Sequence, residues 1–179
     1  DGADRWEEAK AAAEKAMEMY QDLMPHWGAV LEEIEAQLAA AIALGAEGMN
    51  MGTRFIATKE APVHDNVKQA ILAASELDTR LVMRPLRNTE RVMTNDAVEK
   101  LLEIEKEKGA DLTFEDIYEQ VAGVYPRIMS EGDMDAGAWS CGMVAGLISD
   151  IPTCQDLIDR IMSEADAIIR QRLAGFLDA

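Results

Sequence analysis

The sequence is poor in the residues that build metal centres, disulfide frameworks and nucleophilic sites. Its 179 residues hold two cysteines, Cys141 and Cys154, and two histidines, His26 and His64. Two cysteines make no disulfide scaffold. Neither histidine pairs with another ligand at helical spacing, so no zinc site is expected. Positive charge is scarce: 17 Lys and Arg stand against 34 Asp and Glu, a net charge of −17. Such a surface repels phosphate backbones and anionic lipid, which argues against nucleic-acid and membrane partners. Aromatic residues make up 5% of the chain, and no apolar run approaches the roughly 18 residues of a spanning helix. The opening Asp1-Gly2-Ala3-Asp4 lacks the basic and then apolar start of a signal peptide. These absences lead to the expectation of a soluble, cytoplasmic protein.

What is present is enough for a core. Hydrophobic residues are 49% and charged residues 28% of the chain, the balance of one globular domain. In residues 1–45, Trp6, Ala9, Ala13, Met17, Tyr20 and Met24 recur at helical steps, as do Val30, Leu31, Ile34, Leu38 and Ile42 beyond Pro25. This predicts a helical hairpin. Residues 47–51 read as a short strand, and Val67, Ala70, Ile71 and Ala74 as a helix entered near Asp65. Residues 79–84 and 89–93 read as two further strands. Asn95 caps a helix that Gly109 closes, and Thr113 with Asp116 forms a capping-box variant. The small, glycine-spaced residues 138–148 predict a close-packing helix, and Leu157, Ile161, Ala165 and their neighbours a last amphipathic one. The expected fold class is mainly α, of about six helices, with at most a small β element at 47–51, 79–84 and 89–93.

Few residues can carry chemistry. Glu131, Asp133 and Asp135 alternate but lack the twelve-residue calcium pattern with its late glutamate. Ser130 and Ser140 have no histidine at a fixed short spacing. Both cysteines sit among apolar residues and read as buried and inert. One segment stands out, Met49-Asn50-Met51-Gly52-Thr53-Arg54-Phe55. A strand ending in Gly52-Thr53 permits close backbone approach, and a following helix start offers free N–H groups and the Thr53 hydroxyl to a phosphate. An ordinary strand-to-helix turn fits the same residues.

Three stretches together resemble the FMN-dependent nitronate monooxygenases, also called 2-nitropropane dioxygenases. They are LAAAIALGAEGMNMGTRFIATKEAP (38–62), DTRLVMRPLRNTERV (78–92) and GDMDAGAWSCGMVAGLISDIPTCQDLIDRIMSEA (132–165). The resemblance covers about residues 37–173 and is to the family's last barrel unit and helical C-terminal subdomain. Flavin-type enoyl-ACP reductases share this ending more distantly. It implies a TIM-type barrel with FMN at the C-terminal ends of the strands, oxidation of an alkyl nitronate by flavin and dioxygen, and a catalytic histidine. By resemblance, Met51, Gly52 and Thr53 are the cofactor-binding positions.

A complete barrel takes about 250 residues. Here 46 residues precede the expected last strand, and neither histidine occupies the catalytic context. The expectation is therefore not a complete barrel. Residues 1–45 form a helical hairpin unrelated to the family, packed in one domain with a family-like region at 46–179. The favoured function is that of a non-catalytic, mainly helical protein, truncated, chimeric or artificial, with no catalytic residue, no metal and no cofactor. The chain alone is then not expected to act as an enzyme. The alternatives are an FMN-dependent nitronate monooxygenase-like oxidoreductase and a helical interaction module, the latter able to form a homo-oligomer through an apolar helical face.

Overall fold

The computed structural model describes residues 36–176. The expected hairpin over residues 1–45 therefore lies outside the described residues except for its last part, helix α1 (Ala36–Ala43). Past α1 the chain turns at Gly45, whose φ of +95° suits a residue without Cβ. The next elements are α2 (Thr53–Ile56), α3 (Asp65–Ala73), β1 (Thr79–Val82), β2 (Glu90–Met93) and α4 (Asp96–Lys108). Two short helices follow, α5 (Tyr118–Val121) and α6 (Tyr125–Met129), before the long α7 (Cys154–Ala167). The architecture is mainly helical, and the described residues close no barrel.

The helix starts follow from local chemistry. Asn95 Oδ1 accepts from the Val98 N–H at 2.8 Å, capping α4. Its Nδ2 donates to the carbonyls of Met134 (2.7 Å) and Gly137 (2.9 Å), so one side chain fastens the helix to the 131–137 turn. Thr153 Oγ1 caps α7 from the Asp156 N–H at 3.0 Å. Pro152 immediately precedes this cap. His64 caps α3, its Nδ1 accepting from the Asn66 N–H at 3.1 Å. Lys106 and Lys108 in the last turn of α4 complement the helix dipole.

β1 and β2 pair antiparallel, with Thr79 opposite Met93 and Val82 opposite Glu90. The connecting loop holds two non-glycine residues in the left-handed region, Met83 (φ 59°) and Arg87 (φ 54°). Each such residue costs roughly 1–2 kcal/mol.

Two sequence expectations are corrected. Residues 47–51 are not a strand. A strand needs a partner for its N–H and C=O groups, and among the described residues the sheet is the β1–β2 pair, which 47–51 does not join. The helix expected over 138–148 is also absent. Trp139–Gly142 runs extended beside β2, bridging Val92 to Ser140, and only Met143–Leu147 coils, as a tight 3₁₀ turn. Gly146 explains this: a Cβ there would lie 2.3 Å from the backbone nitrogen of Glu76, so the glycine serves a close approach of two chain segments.

The interior has two apolar clusters. One gathers Val67 and Ile71 of α3 with Ile128, Trp139, Cys141, Ala145 and Ile148. The other joins Val82 and Val92 to Val98, Leu101 and Ile117. On α7 only Leu157, Ile161 and Ala165 are buried; Ile158 and Met162, expected on the same stripe, are exposed.

Candidate functional site

The Met51-Gly52-Thr53 segment lies at the start of α2. Met51 is half-buried and packs against the first cluster. Gly52 is exposed at the N-cap position, and nothing lies within 4 Å of where its Cβ would be. Geometry leaves the first N–H groups of a helix without intrahelical acceptors. Thr53 Oγ1 accepts from the Gly142 N–H at 3.0 Å, joining positions 89 residues apart. The same hydroxyl hydrogen-bonds the Cys141 thiol. Burial pushes that thiol up to about 11, and the Thr53 bond opposes the shift only weakly, so Cys141 is neutral at ordinary pH.

The segment is anchored from below by Arg54, which is only 3% exposed. Its guanidinium reaches Asp150 Oδ1 at 2.6 Å, the Asp150 carbonyl at 3.2 Å and the Ala57 carbonyl at 3.3 Å. Arg160 holds the other Asp150 oxygen at 2.9 Å. Desolvation alone would raise the Asp150 carboxyl, but the hydrogen bonds and charges of Arg160 and Arg54 outweigh it and hold the group below its ordinary value.

A polar cluster that the sequence did not reveal sits one residue from Cys141. Ser140 donates its N–H to Tyr125 Oη at 2.9 Å, and its Oγ is 2.7 Å from the same phenol. Ser140 Oγ also hydrogen-bonds Glu90 Oε1. The three residues are 15 to 50 positions apart, so no local pattern announces them. The segment 139–142 therefore carries two things at once: the Ser140 cluster on β2 and the Gly142 contact to Thr53.

The remaining candidates fall elsewhere. His64 is a helix cap, Cys154 is half-buried, and no group of three or more metal-binding side chains exists among the described residues. A depression of about 530 Å³ between Leu72 and Ser149 has no titratable lining. No described helix is long and apolar enough to cross a membrane.

Residues 34–164 match the family described as nitronate monooxygenase. The chain belongs to the nitronate monooxygenase family. It is 33% identical over 79% of its length to the (3aS,4S,5R,7aS)-5-hydroxy-7a-methyl-1-oxo-octahydro-1H-indene-4-carboxyl-CoA dehydrogenase of Rhodococcus jostii, covering 49% of that protein. The protein of the same name from Mycobacterium tuberculosis is 29% identical over 72% of this chain and 46% of its own length. The structure of FabK from Thermotoga maritima superposes with a TM-score of 0.72 at 33% identity, covering 81% of this chain and 45% of FabK. The chain thus spans about half the length of the curated relatives it matches. The expectation of a non-catalytic protein is overturned by these matches: the family and the dehydrogenase-named relatives point to an oxidoreductase, the reading that the sequence offered second.

Proposed function

We propose that the chain is a flavin-dependent oxidoreductase of the nitronate monooxygenase family, with Met51, Gly52 and Thr53 receiving the phosphate of FMN. The observation that carries this is the Thr53 hydroxyl fixed at an exposed helix start by the Gly142 N–H. Accepting that bond leaves the hydroxyl hydrogen for an acceptor, and a phosphate oxygen competes for it with the Cys141 sulfur. Gly52 leaves open space above the backbone at this turn. These residues suit a phosphate. When bound, the flavin accepts an electron pair from the organic substrate. The protein's own part is to hold the phosphate, and through Arg54 and Asp150 to keep the turn in place.

The test is the visible flavin absorbance of the purified chain, incubated with FMN and desalted. Retained flavin is expected, and Thr53→Ala weakens its affinity about tenfold, the worth of one charge-assisted hydrogen bond. A colourless protein refutes the proposal.

A further inference from the structure

We infer that the tip of the β1–β2 hairpin is a phosphate-binding site for a coenzyme A-type substrate, with Arg84 and Arg87 as the ligating pair. Four of the chain's ten arginines fall within residues 80–91, in a protein with twice as many acids as bases. Several other arginines hold carboxylates: Arg54 and Arg160 hold Asp150, Arg127 holds Asp133, and Arg170 holds Asp166. In the hairpin the Ser75 hydrogen bonds, with a smaller help from the nearby Arg80 charge, hold the Asp78 carboxyl below its ordinary value. No arginine there forms an ion pair among the described residues. Arg80 donates to the carbonyls of Leu77 and Thr79, and Arg91 to the Thr79 hydroxyl. Arg84 and Arg87 are exposed, and neither pairs with a carboxylate among the described residues. The two acids next to the tip are engaged: Glu90 by Ser140 and Tyr125, Glu105 by the Met83 N–H.

The tip is also built. Arg87 N–H donates to the Arg84 carbonyl at 3.0 Å, so the pair stands at the two ends of one turn around Pro85-Leu86. Leu86 packs inward against the second cluster, and Asn88 ties back to the Met83 carbonyl at 3.3 Å. Arg87 is held at φ 54°, a conformation that glycine or asparagine occupies with less strain. Two guanidiniums on a fixed turn match the paired oxygens of a diphosphate.

Position supports the choice of ligand. The Arg91 carbonyl accepts from Cys141 N–H, and the next residue, Gly142, contacts Thr53. Arg87 lies three residues before the first residue of β2, in the turn that leads into the strand. The 139–142 segment thus joins the hairpin to the turn proposed for the flavin phosphate. A substrate that meets the flavin while its phosphates rest on the tip is long, with its anionic end remote from the reacting end. A CoA thioester has that form, and the names of two relatives contain it. The inference rests on the proposed oxidoreductase reading only for this choice of substrate class.

The test is calorimetric titration of the whole chain with coenzyme A and, separately, with pantetheine, which lacks the phosphates. Coenzyme A is expected to bind, more weakly as salt is raised, and pantetheine not to bind in the same range. The R84A/R87A variant, checked for an unchanged circular dichroism spectrum, should bind coenzyme A about tenfold more weakly or worse, and R84K/R87K should recover part of the loss. No binding of coenzyme A, equal binding of pantetheine, or equal affinity in R84A/R87A each overturns the inference. Flavin retention, measured on the same samples, separates the two readings. Flavin kept with arginine-independent coenzyme A binding sinks this site alone, whereas arginine-dependent binding to a colourless protein sinks the flavin reading alone.

Discussion

Replacing Arg54 by Met removes a buried cation of similar length from beneath the 51–53 turn. Three hydrogen bonds disappear, one of them to the Asp150 carboxylate at 2.6 Å and two to carbonyls at 3.2 and 3.3 Å. A charged bond is worth about 1.5–3 kcal/mol and a neutral one about 1 kcal/mol, while the methionine stem restores some packing. Asp150 keeps Arg160 and is 44% exposed, so its charge is not stranded. The expected loss is about 3 kcal/mol, or about 6–12 °C in melting temperature at this chain length. Urea and thermal unfolding followed by circular dichroism measure it. Arg54→Lys should fall between, because an ammonium cannot reach all three acceptors in the plane of a fork. The effect also has a pH signature. Asp150 is held below its ordinary value of 3.8 in the folded state. Its pairing therefore stabilises fully above that value and is lost as pH falls through the lower folded value. The gap between the parent chain and R54M should narrow in acid. A melting shift under about 3 °C, or a gap that widens in acid, refutes the assignment.

Ile161→Asp places a charge at a position 4% exposed and should cost about 4 kcal/mol, whereas Ile158→Asp, three residues earlier and 44% exposed, should stay within about 0.5 kcal/mol; equal shifts in melting temperature would show the buried face of α7 to be misassigned. A thiol reagent at mildly alkaline pH should modify the half-buried Cys154 and leave Cys141, whose thiol titrates near 11, untouched until the protein unfolds. Fast modification of both cysteines in the native state, read by mass spectrometry, contradicts the buried thiol.

The parts of the fold that were legible in the sequence are those fixed by short-range chemistry. Asn95 three residues before Val98 and Gly109 at φ +54° write their helix ends locally. So do the β1 and β2 runs, each of four residues between turn signals. The misreadings share a different cause. A glycine-spaced apolar run such as 138–148 satisfies helical small-residue packing and close strand packing equally well, and only the approach of Glu76 to Gly146 decides between them. Residues 47–51 have strand character but lack a neighbour to complete their hydrogen bonds. At the candidate site, Met51, Gly52 and Thr53 stood out as a turn, yet their anchors Gly142 and Asp150 lie 89 and 96 residues away from Thr53 and Arg54. Ser140, Tyr125 and Glu90 are ordinary residues until the chain brings them together.

The extended run from Trp139 to Gly142 has a kinetic meaning. It is stitched to β2 by the Met93–Trp139 and Cys141–Arg91 hydrogen bonds and to α2 by Gly142, so it closes loops of very different length at one place. Loop closure carries an entropic cost that precedes any reward from the contacts. The Thr53 turn is therefore expected to acquire its geometry late, after the β1–β2 hairpin exists to receive residues 139–142. Amide exchange at Gly142 should then follow global unfolding rather than local breathing, making one backbone proton a reporter of whether the whole site is assembled.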